Sequence, residues 1–105
     1  MKAHELLSSP ETWCQEALAK DARGDNVPPF NPKAVQWCAL AAVQKVYPSP
    51  QWDEAMNRVL RALSVSEKGI KQLSRSDKAC CVMGWNDRRE SSYHEIRKIL
   101  LEADV

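Results

Sequence analysis

Apolar residues recur at helical spacing after three pairs in which a capping side chain precedes a proline: Ser9-Pro10, Asn31-Pro32 and Ser49-Pro50. A side-chain oxygen before the first turn satisfies free N–H groups, and proline suits the first helical position because its φ is fixed. The pattern predicts one helix from Pro10 to about Ala22 and a second from Pro32 to about Tyr47. It predicts a third helix that carries Trp52 to Leu63.

The second and third predicted helices differ in how their apolar residues are distributed. The second is apolar around most of its circumference, which is typical of a helix at the centre of a fold. The third has apolar residues at spacings of three and four along one face, with charged residues outside: Trp52, Ala55, Met56, Val59, Leu60 and Leu63. This spacing predicts an amphipathic helix that buries one face.

Two capping boxes predict further helices. Ser64 with Glu67 predicts a short fourth helix, and Ser92 with Glu95 opens the last helix. Pro28-Pro29 predicts a non-helical loop that Phe30 pins to the core, and residues 84–89 are predicted to form a second loop. Because no strand-like alternation persists, the expected fold is all-α. It is a compact single-domain bundle of four main helices and one or two short turns over residues 1–105, with residues 1–9 as a frayed terminus.

The composition restricts the class of protein. The chain has 105 residues, 44% of them hydrophobic and 28% charged, with a formal net charge of +1. These values are typical of a folded globular protein rather than a disordered one. No apolar run is long enough to span a membrane, and Met1–Ser9 lacks a signal-peptide pattern. The expected location is the cytoplasm.

Positive charge is concentrated in the second half of the chain. Between Arg58 and Arg89 there are eight basic residues against three acidic ones, a surplus of five. This region is a candidate contact for nucleic acid or an acidic protein, although a solvated surface is the favoured explanation. The near-neutral total charge, and Asp53 and Glu54 at the start of the third predicted helix, argue against nucleic-acid binding.

The chemistry-bearing residues do not form a recognisable catalytic motif. The two histidines, His4 and His94, have no evident partners, and only three glycines are present. The favoured interpretation is that the protein is not an enzyme, has no cofactor and keeps its cysteines as free buried thiols. A zinc or thiol site is the alternative, although no C-x-x-C pair exists. Its ligands would come from Cys14, Cys38, Cys80, Cys81 and His94.

The candidate interaction site is the predicted loop before the last helix. Tryptophan and arginine dominate binding hot spots, and loops often carry function. The site comprises the loop residues and two arginines of the third predicted helix: Trp85, Asn86, Asp87, Arg88, Arg89, Arg58 and Arg61. In a structural alternative, Trp85 fills the end of the bundle while Asn86 and Asp87 satisfy local backbone groups.

Three short motifs resemble those of a family of small uncharacterised helical proteins found in bacteria and their phages. They are Trp13 with Ala17, Trp37-Cys38 followed by Ala41-Ala42, and Trp85-Asn86-Asp87 leading to Ser92. The resemblance runs from Trp13 to the carboxy terminus. It implies a shared helical fold and no particular activity.

The expected function is that of a small non-enzymatic cytoplasmic interaction protein. A phage-type accessory protein, or an inhibitor that docks onto a larger host assembly such as host-defence machinery, fits the size and the absence of catalytic motifs. A regulator that binds nucleic acid through Arg58–Arg89 is the alternative, and a thiol or zinc protein is the third. Since four tryptophans exceed what a small core needs, a homodimer is a further expectation.

Overall fold

The chain folds into six α-helices and a three-stranded antiparallel sheet, so the predicted all-α helical bundle is wrong. The computed structural model describes residues 1–105. The strands are β1 (Ala19–Asp21), β2 (Asn26–Val27) and β3 (Ala34–Trp37). The helices are α1 (Ala3–Leu6), α2 (Ala39–Val46), α3 (Gln51–Ala62), α4 (Glu67–Gln72), α5 (Arg75–Asp87) and α6 (Tyr93–Ala103).

The sheet has the order β2-β1-β3, with β1 in the middle. Ala19 lies opposite Val27 on one side and opposite Trp37 on the other. The carboxylate of Asp21 accepts the N–H groups of Arg23 and Asp25, both at 2.9 Å, and so holds the turn between β1 and β2. Gly24 takes a φ of 83° in this turn, a conformation that other residues rarely adopt.

The first predicted helix is wrong because its residues pair with β3. Only Pro10–Thr12 are helical, as one 3-10 turn. Beyond them the Cys14 N–H donates to the Trp37 carbonyl at 3.2 Å, and the Cys38 N–H donates to the Leu18 carbonyl at 2.9 Å. Because these backbone groups have partners in another segment, the helix-start signal at Ser9-Pro10 produces a turn and no more.

The second predicted helix is half strand and half helix. Ala34–Trp37 form β3 along the free edge of β1, and α2 begins only at Ala39. The Cys38 sulfur caps α2 by accepting the Ala41 N–H at 3.4 Å. The predicted central position is confirmed for α2, because its first five residues are all buried and it packs against α1, α3 and α5.

The later helices follow the sequence pattern more closely. The amphipathic α3 buries its predicted apolar face, and α6 begins after the predicted cap Ser92, whose hydroxyl accepts the Glu95 N–H at 3.3 Å. Ser66, rather than Ser64, caps α4. The predicted loop at residues 84–89 is wrong for residues 84–87, which are helical. A capping box at Ser74 and Asp77 starts α5, and the helix continues through Asp87.

The helices share one contiguous core of 21 buried residues. Helix α6 packs on α3 and α1, while α5 packs on α2 and α3. The sheet is joined to this core directly, since only Cys38 separates β3 from α2. None of the helices has the length and apolar content that crossing a bilayer requires.

Candidate functional site

The predicted loop site lies at the carboxyl end of α5 and just beyond it. Trp85 is 7% exposed and Asn86 is fully buried, whereas Arg88 and Arg89 are exposed. Trp52, on the predicted apolar face of α3, is also buried. The site residues therefore separate into a buried pair and an exposed basic pair.

Asn86 uses its whole amide group to join three segments of the chain. Its Oδ1 accepts the indole N–H of Trp13 at 2.7 Å and the backbone N–H of Ala39 at 2.9 Å. Its Nδ2 donates to the Cys14 carbonyl at 3.1 Å and to the Asp87 carboxylate at 2.9 Å. Two acceptor and two donor positions are all that an asparagine amide offers, so every one is used.

Neighbouring polar groups extend the contact around Asn86. The Asp87 carboxylate accepts the backbone N–H of Glu16 at 3.0 Å, where Glu16 has a φ of 62°. The Gln15 amide donates to the carbonyls of Asn86 and Arg88, at 2.9 and 3.0 Å. The end of α5 thus holds residues 13–16 in a non-helical conformation. Asn86 and Asp87 satisfy backbone groups, as the structural alternative expected, but these groups are distant in sequence rather than local.

Arg58 and Arg61 lie far from Arg88 and Arg89. Arg58 reaches the Asp104 carboxylate at 3.6 Å, next to the last turn of α6, whereas Arg88 and Arg89 precede the first turn of that helix. Eleven residues of helix, about 16 Å, separate these two ends. Arg61 pairs with Glu67 and, at 3.6 Å, with Glu54. The structure does not bring the predicted arginines together.

Two exposed ion pairs each shift the pKa of one of the groups that form them. The Lys2 ammonium hydrogen-bonds the Asp104 carboxylate and thereby lowers the pKa of that carboxyl below its usual value. The hydrogen bond to Glu67 raises the pKa of the Arg61 guanidinium. Both contacts are solvent-exposed, so they neutralise surface charge more than they stabilise the fold.

The cysteines form two groups. Cys14 and Cys38 are buried, and Cys80 and Cys81 are exposed on α5, contrary to the expectation that all four thiols are buried. Burial raises the pKa of the Cys14 thiol to about 11 and also raises the pKa of Cys38. No three histidine, cysteine, aspartate or glutamate side chains lie together as a metal site requires.

An open cleft, which we call the aromatic cleft, lies where the 28–31 loop meets α2, α3 and α5. Its volume is about 450 Å³. Phe30 is 64% exposed beside it. The cleft is lined by aromatic and polar side chains that include Phe30, Gln44, Tyr47, Ser49, Trp52 and Arg75.

Two cations lie over the aromatic rings of this region. The Arg75 guanidinium is 5.0 Å from the ring centre of Trp52, and the Lys45 ammonium is 5.8 Å from that of Phe30. The Trp52 indole N–H is buried and has no acceptor in the chain. No aspartate or glutamate lines the cleft, although Asp53 is 4.0 Å from Arg75 outside it. Arg75 therefore gives the cleft lining a positive charge.

The sequence prediction missed the aromatic cleft. Phe30 was expected in the core, whereas its ring is exposed while the preceding Pro29 carbonyl accepts the Trp37 indole N–H at 3.1 Å. An aromatic residue directly after two prolines in a loop is the one local signal for this exposure. Arg75 and Tyr47 carry no such signal, because their meeting depends on how α2 and α5 pack.

A family model with the description "Family of unknown function (DUF6197)" matches residues 1–104 of the chain. No curated protein matches the chain, and no solved structure does. The expectation of an uncharacterised family is thus confirmed.

Proposed function

Because the chain belongs to a family of unknown function, DUF6197, we propose a function from its own surface: it is a non-catalytic interaction protein that binds a segment of a partner protein in the aromatic cleft. The observation that carries the proposal is an exposed phenylalanine held at the edge of a cleft. Phe30 is 64% exposed, yet the Trp37 indole N–H fixes the loop at Pro29. A loop whose backbone is already held in place loses less conformational entropy when a partner covers its aromatic ring.

The cleft indicates the chemistry of the segment. Tyr47, Trp52 and Phe30 offer apolar area, and Arg75 and Lys45 add positive charge. A segment with an apolar or aromatic residue beside an aspartate or glutamate complements both features.

The distribution of charge favours a protein partner over nucleic acid. Arg58 and Arg61, the arginines of the basic region that lie in α3, are within ion-pair distance of carboxylates: Arg58 with Asp104, and Arg61 with Glu54 and Glu67. Strong nucleic-acid binding needs several unpaired cations to replace counterions along the phosphate backbone. Neither of these two arginines is therefore an unpaired cation that could replace counterions.

The buried thiols support a role without catalysis. A nucleophilic cysteine works as its thiolate, whereas burial raises the pKa of Cys14 to about 11 and raises that of Cys38 as well. Both sulfurs also have structural contacts: Cys14 with the Ala17 carbonyl and Cys38 as the cap of α2.

The resemblance to small proteins of bacteria and phages supports a more specific form of the proposal. In this form the protein acts in the cytoplasm as an accessory or inhibitor of a larger protein assembly. Occupation of the aromatic cleft by a segment of that assembly would be the docking step. No chemical step is required of the protein, in keeping with its lack of a catalytic motif.

The experiment is a selection of peptides from a random display library on the immobilised protein, followed by binding measurements with synthetic peptides. We expect enriched peptides to combine an aromatic or apolar residue with an acidic one. Phe30→Ala should weaken binding about tenfold or more, since it removes an aromatic contact of about 1.5 kcal/mol or more. Arg75→Gln should weaken acidic peptides more than neutral variants of the same peptides.

Matched controls separate the cleft from the rest of the surface. Leu101→Ala truncates another exposed apolar side chain, and Arg89→Gln removes another exposed cation; neither residue lines the cleft. Both controls should bind like the unmodified protein. Equal affinity of the Phe30 variant and its control would contradict the proposal. Salt-sensitive binding of oligonucleotides in the same cleft would replace the protein partner with nucleic acid.

A further inference from the structure

An exposed stripe runs along α5, away from the aromatic cleft. It consists of Asp77, Cys81, Gly84 and Arg88, and all four residues are exposed. Their spacings of four, three and four residues place them on one side of a helix. The opposite side of α5 packs on α2 and α3. The stripe has no partner within the chain.

Gly84 has no structural reason within the chain to be glycine. It lies inside α5, its φ is negative, and a Cβ at this position would meet no atom within 4 Å. Glycine inside a helix costs about 1 kcal/mol relative to alanine. What glycine provides on a helix surface is the close approach of another backbone.

The charges of the stripe are self-complementary. Asp77 lies four residues before Cys81, and Arg88 lies four residues after Gly84. An antiparallel copy of α5, centred between Cys81 and Gly84, would bring Asp77 of each copy against Arg88 of the other. It would also place the small side chain of Cys81 against Gly84, which has no side chain, so the two helices could approach closely. A parallel copy would instead oppose like charges.

Arg88 is available for such a pair. None of the ion pairs within the chain involves Arg88, and its side chain is exposed. The Asp77 carboxylate accepts only the backbone N–H of Ser74, at 3.4 Å, and is also exposed. We propose that α5 is the contact of a homodimer, in which it packs antiparallel against α5 of a second copy through this stripe.

The stripe predicts a dimer that depends on concentration. From Asp77 to Arg88 it extends over about 17 Å of helix. Exposed Cys80 and Met83 widen it with small or apolar surface. A single pair of helices of this length buries less area than a standard stable interface. The dimer should therefore form at high protein concentration and separate on dilution.

The test is sedimentation velocity over a wide range of protein concentrations, with reductant present so that Cys80 and Cys81 do not form disulfides. The unmodified protein should shift from monomer to dimer. Gly84→Leu should remain monomeric, because its side chain blocks close approach at an exposed position where an added Cβ meets no atom of the chain within 4 Å. Arg89→Asp changes an exposed charge outside the stripe and should dimerise normally.

Charge reversal tests the orientation. Asp77→Arg and Arg88→Asp should each be monomeric alone, because each places like charges opposite one another. An equal mixture of the two variants should form a heterodimer, because every ion pair is then restored. A monomer at all concentrations for the unmodified protein, or dimers that persist in both single variants, would overturn the proposal. Neither result bears on peptide binding in the aromatic cleft.

Discussion

Asn86 is the residue whose replacement by alanine should lower the free energy of unfolding most, relative to the few side-chain atoms that the substitution removes. Its amide accepts hydrogen bonds from the Trp13 indole and the Ala39 backbone, and it donates to the Cys14 carbonyl. Asn86→Ala would remove all of these bonds without altering the apolar core. The Ala39 N–H and the Cys14 carbonyl would then be buried without a hydrogen-bond partner, where α5 meets α2 and the segment before the sheet.

The expected loss of stability follows from those unpaired groups. A buried donor or acceptor that loses its partner costs about 1–3 kcal/mol. With two backbone groups affected, and the Trp13 indole partly able to reach water, we expect a loss of about 3–4 kcal/mol. Domains of this size have total stabilities of about 5–15 kcal/mol. The variant should therefore fold, with a clearly lower urea midpoint.

Urea unfolding monitored by far-ultraviolet circular dichroism measures this loss directly. The matched control is Asn57→Ala in α3, because the Asn57 side-chain oxygen has no hydrogen-bond partner. Both substitutions gain the same helix propensity, so their difference isolates the hydrogen bonds of Asn86. We expect the control to lie within about 1 kcal/mol of the unmodified protein. Equal unfolding free energies for the two variants would refute the role assigned to Asn86.

Two further predictions concern the thiols and one surface carboxylate. Iodoacetamide should modify the exposed thiols of Cys80 and Cys81 quickly in the folded protein. It should modify Cys14 and Cys38 only after unfolding, because they are buried and burial raises their pKa. Mass spectrometry that shows all four thiols reacting equally fast would contradict the structure. Asp104→Asn should slightly lower the urea midpoint at neutral pH, and this difference should begin to shrink as the pH falls below the usual carboxyl pKa of about 4 and vanish only below the lowered pKa of the folded state. The reason is that Lys2 lowers the pKa of Asp104 in the folded state, so its stabilisation is present at higher pH and is lost on acidification; a midpoint difference that persists in acid would contradict it.

The sequence allowed the prediction of those elements that depend on local pattern. Helix α3 has apolar positions at spacings of three and four, and α6 has a serine cap, and both form where expected. Ser9-Pro10 has an equally clear start signal but produces only one turn. The difference is tertiary: residues 14–18 find backbone partners in residues 37–38, which lie twenty or more positions along the chain. A local pattern cannot contain that information.

The candidate sites illustrate the same limit. Trp85, Asn86 and Asp87 stand out in the sequence because of their residue types, but their roles depend on Trp13, Cys14 and Glu16, which are about seventy residues away. The aromatic cleft was missed because its residues come from four separate segments. By contrast, the exposed stripe on α5 was readable in principle, since its acidic, small and basic positions follow helical spacing. The predicted loop at residues 84–89 obscured it, because that loop divides the stripe.

The hydrogen bonds of Asn86 also impose an order on events during synthesis. Residues 13–37, which contain the whole sheet, leave the ribosome long before α5 exists. The contact from Cys14 to Asn86 spans 72 positions, and closing a loop of that length costs about 4 kcal/mol in chain entropy. The sheet segments are therefore synthesised but not secured until α5 is complete and docked on α2. A chain stalled before Asn86 would expose its sheet segment to chaperones and proteases, so the time spent translating residues 38–86 is the period of greatest vulnerability for this protein.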